Sequence, residues 1–288
     1  MKLGITMFAT DYAMRPDDLA KACEDRGFES VWFPEHTHIP TSLRTPPPIG
    51  TKVPRYLYHL HDLFVTLTAA AVATRTIKVG SGICLVVEHD PIILAKEVAS
   101  VDQLSNGRLL FGIGAGWNAE EMENHGTPFQ RRWRVLRERI EAMKRIWSED
   151  AAEYHGEFVN FDPIWCYPKP WQKPHPPIVL GTLSTKGLHR VVQYCDGWIP
   201  TGVKIEDLST AITDLHQRAL QSNGCAVRVS FVPNLAELHV ELENAESVHQ
   251  QCSSAVTFRS WRRPPPGSPD CHRRRWTVQR DFCGKQTG

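Results

Sequence analysis

Glu35 and His36 stand side by side at the end of the apolar run Ser30-Val-Trp-Phe33, within Trp32-Phe33-Pro34-Glu35-His36-Thr37-His38. A histidine changes charge near neutral pH and serves as proton donor or acceptor, and an adjacent carboxylate can orient or tune its ring. The same pair also suits a polar rim with a satisfied histidine, and His38 is the weaker candidate. A second segment, Gly80-Ser81-Gly82-Ile83-Cys84, puts two glycines around one serine. That pattern fits irregular backbone lying against a flat ligand, or a simple bulge. A third, Phe111-Gly112-Ile113-Gly114-Ala115-Gly116-Trp117-Asn118, invites a dinucleotide reading but spells G-x-G-x-G rather than G-x-G-x-x-G. It opens no first βαβ unit, and no acidic residue ends a following strand about 20 residues on. A tight glycine turn admitting a ligand fits better. A fourth, Gly181-Thr182-Leu183-Ser184-Thr185-Lys186-Gly187, leaves a strand and enters a helix, where backbone N–H groups and hydroxyls suit a phosphate or ordinary capping. There is no G-x-S-x-G elbow, no H-E-x-x-H, and nothing with the spacing of a metal site, so no metal is expected.

These segments need elements to hold them. Short apolar runs read as strands at Lys2–Phe8, Ser30–Phe33, Ile77–Gly80, Leu109–Ile113, Pro177–Gly181, Gly197–Pro200 and Val227–Phe231. Helical patterns lie between them. One starts at Arg15-Pro16-Asp17-Asp18 and stops at Gly27, with proline at the front and glycine past the end. Asp62 opens a second, and Asp90-Pro91 caps a third, whose apolar positions are Leu94, Val98, Val101 and Leu104 before Asn106-Gly107. Trp133, Leu136, Ile140, Met143 and Trp147 form a 3-4-3-4 stripe expected to pack in the core. Strands this short and apolar are expected to be covered by helices on both faces. Strand then helix, about seven times over, predicts an α/β fold, a parallel TIM (β/α)8 barrel with its site at the strand ends. An eighth strand is not visible. The loops Pro40–Pro54 and Ala152–Pro176 are expected to form a substrate-selecting lid.

Bulk composition agrees with a soluble enzyme. The 288 residues are 41% hydrophobic, enough for a substantial core. The net charge of +1 conceals an asymmetry: the segment from Ala245 holds eight Lys and Arg against three Asp and Glu, leaving 25 against 29 for the rest. The mildly acidic body offers nucleic acid no footprint. Met1 runs directly into a strand, no apolar run reaches membrane-spanning length, and eight scattered cysteines form no C-x-x-C pair. A reduced, cytoplasmic enzyme with a small-molecule substrate, no nucleic acid and no membrane is expected.

The texture changes near Ala245. Residues 245–288 include Trp261-Arg-Arg-Pro-Pro-Pro266, Cys271-His-Arg-Arg-Arg-Trp276 and Cys283-Gly284. Such Pro- and Arg-rich chain buries too little apolar area to offset ordering entropy. The sequence divides into a barrel domain, 1–244, and an atypical basic tail, 245–288, disordered or read out of frame, with the eighth β/α unit incomplete.

Taken together, the motifs resemble the luciferase-like monooxygenase superfamily. The resemblance rests on Trp32–His36, Val79–Leu85, His89-Asp-Pro91 through Ala95-Lys-Glu97, Asp102–Arg108, Tyr154–Phe158, Pro168-Lys-Pro170 and Pro174–Ile178. It spans about Lys2 to Leu220 and is nearest to the actinobacterial branch that uses coenzyme F420. It implies a flavin-like ring in the barrel mouth and a non-prolyl cis peptide within Ser81–Cys84 behind it. It implies catalysis by His36 with Glu35, and cofactor binding by Ser81, Gly82, Ile83, Cys84, Gly114, Ala115, Gly116, Trp117, Gly181, Thr182, Leu183 and Ser184. Sugar-phosphate dehydrogenases of this family carry a glutamate proton donor where Trp117 stands, so the resemblance implies another organic substrate. Hydride transfer with F420 is the expected reaction. An FMN-dependent monooxygenase is the alternative, as is a non-catalytic relative or partner subunit. A homodimer is usual among the look-alikes.

Overall fold

The structure, a computed structural model, describes residues 4–41, 44–47, 50, 52–182, 184–200, 205–222 and 228–229. Nine strands occur among them: β1 (Gly4–Thr6), β2 (Ser30–Phe33), β3 (Lys78–Ser81), β4 (Leu109–Ile113), β5 (Ala152–His155), β6 (Asn160–Ile164), β7 (Ile178–Gly181), β8 (Gly197–Ile199) and β9 (Arg228–Val229). Seven form one parallel sheet in the order β1-β2-β3-β4-β7-β8-β9. Helices α1 (Pro16–Asp25), α2 (Leu63–Val72), α3 (Pro91–Leu104), α4 (Ala119–Asn124), α5 (Arg132–Ser148), α6 (Thr185–Tyr194) and α7 (Ile205–Ser222) connect them. Strand neighbours following chain order, with helical crossovers, make the curled parallel α/β sheet of a barrel with seven strands described, in line with the architecture expected above.

The period-2 alternation of the strands sorts side chains onto two faces. Val31, Phe33, Phe111, Ile178 and Leu180 point outward into the main core beneath the helices. Trp32, Leu110, Val179 and Ile199 pack on the inner face of the curled sheet. Gly80 is required there, because a Cβ at this position would lie 2.4 Å from the Trp32 ring. Of the helix-spaced residues of α5, Leu136, Ile140, Met143 and Trp147 are buried as expected, whereas Trp133 is only partly buried, packed against the core; Trp147 Nε1 donates to Ala95 O at 2.9 Å.

The helix boundaries follow their caps. Asp62 accepts from Val65 N at 2.9 Å, and Asp90 accepts from Ile92 N and Ile93 N at 2.9 and 3.0 Å. Asn106 and Gly107, with φ of 53° and 76°, end α3 in the left-handed region. The Arg108 guanidinium then bonds Ala71 O, Thr74 O, Ile77 O and Ser105 O, tying the ends of α2 and α3 to the start of β3.

Of the apolar positions in α3, Leu94, Val98 and Val101 are buried and Leu104 is exposed. One expectation needs correction. The stretch 152–176 is not only lid loop: β5 and β6 form an antiparallel hairpin, held to α5 by Tyr154 Oη on Glu141 Oε2 at 3.0 Å and by Phe158 N on Glu138 Oε2 at 2.7 Å. The predicted strand Val227–Phe231 is described only at Arg228–Val229. The change of texture at Ala245, the tail 245–288 and the question of an eighth strand lie outside the described residues.

Candidate active site

A cavity of about 490 Å³ opens where β1, β2, β3, β4 and β7 end, the face on which barrel enzymes place their chemistry. Its walls are mostly apolar, with Phe8, Tyr56, Leu57, Leu85, Trp117 and Trp133 prominent. Ile83 forms the floor, packed on the inner-face cluster. Glycines make room for it: a Cβ at Gly114 would sit 1.8 Å from Ile83 Cδ1, and one at Gly181 would sit 2.8 Å from Ile83 Cγ2. The peptide bond Gly82–Ile83 is cis and non-prolyl, within the span expected.

Ten of the sequence-selected residues line the cavity: Glu35, His36, Gly82, Ile83, Ala115, Gly116, Trp117, Gly181, Thr182 and Ser184. Ser81, Cys84 and Gly114 are not among the lining residues. The Ser81 hydroxyl donates to Gly112 O at 2.7 Å, Cys84 is buried, and Gly114 gives its space to Ile83 rather than to a ligand. Their part is to build the floor from beneath. Leu183 lies outside the described residues.

His36 is held on two sides. Its Nδ1 lies 2.8 Å from Glu121 Oε2, and Trp117 Nε1 donates to its Nε2 at 3.4 Å. The histidine side chain is 9% exposed and Glu121 1%. An indole N–H only donates, so Nε2 is the accepting nitrogen and the ring proton sits on Nδ1, toward Glu121. Asn118 caps the short α4 and accepts from Glu121 N at 3.2 Å, which fixes the carboxylate's helix.

The expectation that Glu35 orients His36 is therefore corrected. Glu35 is buried with Oε2 accepting from Leu85 N at 2.5 Å and Oε1 2.9 Å from His89 Nε2. Burial works against a charged His89, but contact with Glu35 and the charges of Glu35, Glu97 and Asp62 outweigh it and raise its pKa. Consecutive side chains diverge as the chain leaves β2, so Glu35 fastens the loop after β3 to the start of α3 while His36 faces the cavity. Cys84 lies with Glu35 and His89 in a group of potential metal ligands. Burial first, then the Glu35 charge, pushes its thiol well above the ordinary range.

At the far wall Ser184 Oγ caps α6 by accepting from Gly187 N at 3.1 Å. Gly187 allows the approach, since a Cβ there would meet Thr182 Oγ1 at 1.9 Å. The first turn of α6 thus borders the cavity with its positive dipole end, suited to an anionic group. The arrangement combines an apolar slot, a histidine paired with a buried carboxylate and an anion-favouring helix end.

Comparison with known proteins gives a consistent picture. The family profile described as luciferase-like monooxygenase matches residues 11–251. An uncharacterised protein of Mycobacterium tuberculosis is 40% identical over 222 residues, 75% of this chain and 78% of its own. An FMNH2-dependent dimethylsulfone monooxygenase of Pseudomonas putida is 31% identical over 172 residues, 59% of this chain and 47% of its own length. Among solved structures, a coenzyme F420 dependent tetrahydromethanopterin reductase from Methanopyrus kandleri superposes with a TM-score of 0.64 at 22% identity, covering 80% of this chain and 65% of that one.

Proposed function

The chain belongs to the luciferase-like monooxygenase family, and from that membership we propose that it is an oxidoreductase moving a hydride between coenzyme F420 and a small organic substrate. The observation that carries this reading is the His36–Glu121 couple set in the wall of an apolar cavity. The residues present fit a flat ring with a charged tail: the apolar Ile83 side chain would carry the ring, and Ser184 with the first turn of α6 would receive a phosphate. When bound, a deazaflavin supplies a two-electron hydride carrier that scarcely reacts with oxygen.

The protein's own part is proton management and exclusion of water. With the substrate hydroxyl taking the place of the long Trp117 contact, His36 Nε2 accepts its proton, or in the opposite direction His36 returns one to a carbonyl, imine or activated alkene. Glu121 stabilises the cationic ring that exists between these events. Trp117 keeps Nε2 aimed along the wall, and Phe8, Tyr56, Leu57 and Trp133 keep the slot dry. Where sugar-phosphate dehydrogenases of the family place an acid, Trp117 fills the wall, which favours an apolar substrate.

An FMN-dependent monooxygenase is the second reading, favoured by the 31% identity to the dimethylsulfone enzyme. The cytoplasm is the proposed setting; among the described residues no helix is long and apolar enough to cross a membrane. We also propose a homodimer, supported by an apolar outer face on α2 and α3. Fluorescence titration of the purified chain with each cofactor separates the readings. Saturable binding of F420 in the micromolar range is expected. Tight binding of FMN with no binding of F420 moves the function to the monooxygenase reading, and binding of neither favours a non-catalytic protein.

A further inference from the structure

Glu88 is buried beside the groups that serve His36, yet nothing above gives it a task. It ends the short turn Val86–Glu88 that follows the cavity-lining Leu85. Its side chain is 1% exposed, and among the described residues neither carboxylate oxygen forms a hydrogen bond of ordinary geometry, the Thr37 hydroxyl giving only a weak interaction. Glu121 likewise keeps one oxygen, Oε1, without a hydrogen-bond partner among the described residues while the other holds His36. Two buried carboxyl groups, with oxygens unpaired among the described residues, thus act on each other electrostatically, and one of them holds His36. Toward solvent, His125 Nε2 lies 3.9 Å from Glu88 Oε2 and 2.8 Å from the Thr37 hydroxyl, and both Thr37 and His125 reach the surface.

A buried carboxylate without a partner is strongly disfavoured, whereas the neutral acid carries no charge and can give up its proton. We propose that Glu88 is the inner proton carrier of the His36 site, a neutral acid that exchanges protons with Glu121 on one side and with Thr37 and His125 on the other. Burial first, then the charges of Glu121 and Glu35, pushes its pKa up to about 9, opposed by Thr37 and Arg139. Burial and the neighbouring His38 lower the pKa of His125, which favours its neutral, accepting form. When His36 loses a proton, Glu121 receives it, Glu88 passes its own proton outward to His125 and water, and Glu121 reprotonates Glu88. Charge and protons balance without an oxidant or reductant. The relay rests on the reading of His36 as the acid–base group; the neutral state of Glu88 does not.

The test uses the full chain without cofactor. Infrared spectra at neutral pH are expected to show the C=O stretch of a protonated buried carboxyl, shifted in heavy water. The band is expected to vanish in Glu88→Gln, to survive in Glu121→Gln, and to fade in the wild type as pH rises through about 9. A band missing at neutral pH, or one persisting in Glu88→Gln, overturns the assignment. Exchange of the His36 ring N–H with solvent, followed by NMR, is expected to slow several-fold in Glu88→Gln and to stay unchanged in Glu123→Gln, an exposed position on the same α4. Equal rates in wild type and Glu88→Gln overturn the relay. Should Glu88→Gln not fold, titration of the wild-type band decides alone. None of these readouts involves cofactor, so their failure and a failure of cofactor binding are separately visible.

Discussion

At the residue scale, the division of labour among four acidic and basic groups sets the chemistry. His36 was legible in the sequence because it directly follows an apolar strand, where barrel sites lie. Glu121 was not, because 85 positions separate it from His36 and its local context, Asn118-Ala-Glu120-Glu121, reads as a helix N-terminus. Adjacency misdirected the reading instead: Glu35 is the neighbour in sequence but the partner of His89. The roles predict a split between variants. Glu121→Gln keeps shape and an accepting oxygen but cannot balance a charged ring. It is expected to leave cofactor affinity within about twofold and to lower kcat by about 100-fold, with His36→Asn falling at least as far, in the general acid–base range. Steady-state kinetics beside fluorescence binding measures both. An unchanged kcat with weakened binding in both variants would reassign His36 to cofactor positioning.

At the element scale, the loop after β3 acquires its form from the glycines of neighbouring strands. The helices were readable because their caps are local: Asp62, Asp90 and the Asn106-Gly107 stop each act within a few residues. The use of Gly114 was not readable, since a glycine that admits a ligand and one that admits an isoleucine look alike in sequence. The contact geometry separates two cases. At Gly112 an added Cβ would meet backbone, Ser81 O at 1.9 Å; at Gly114 it would meet the tip of one side chain, Ile83 Cδ1 at 1.8 Å. Backbone cannot yield cheaply, whereas Ile83 can turn. Gly112→Ala is therefore expected to lower Tm clearly, and Gly114→Ala to lower it little but to weaken cofactor binding by disturbing the floor. Ile83→Val removes the clashing atom, so Gly114→Ala with Ile83→Val is expected to recover binding, a non-additive result in a double-mutant cycle. Additive losses would show that Gly114 acts through something other than Ile83.

At the scale of the whole molecule, seven parallel strands in chain order were foreseeable from alternating apolar runs, because burial under helices leaves short uninterrupted strands. The β5–β6 hairpin was missed for the opposite reason: its half-exposed residues alternate weakly, and prolines around it read as loop. Another property appears only when the helices are assembled. Val65 and Val72 of α2 and Ile93 and Leu104 of α3 each stand more than half exposed, on two helices packed against each other. Spacings of seven and eleven residues put each pair on one stripe of its helix. In a twofold dimer the same patch meets itself, so every side chain is buried twice over, and each contributes about 1 kcal/mol or more if fully covered. Neither Val65 nor Ile93 lines the cavity, so charged replacements at the patch would oppose that association without entering it. Sedimentation is expected to give twice the chain mass for the wild type and a single chain mass for Val65→Lys with Ile93→Lys, with cofactor binding retained. A wild-type monomer, or a dimer indifferent to both substitutions, would place the association elsewhere or remove it.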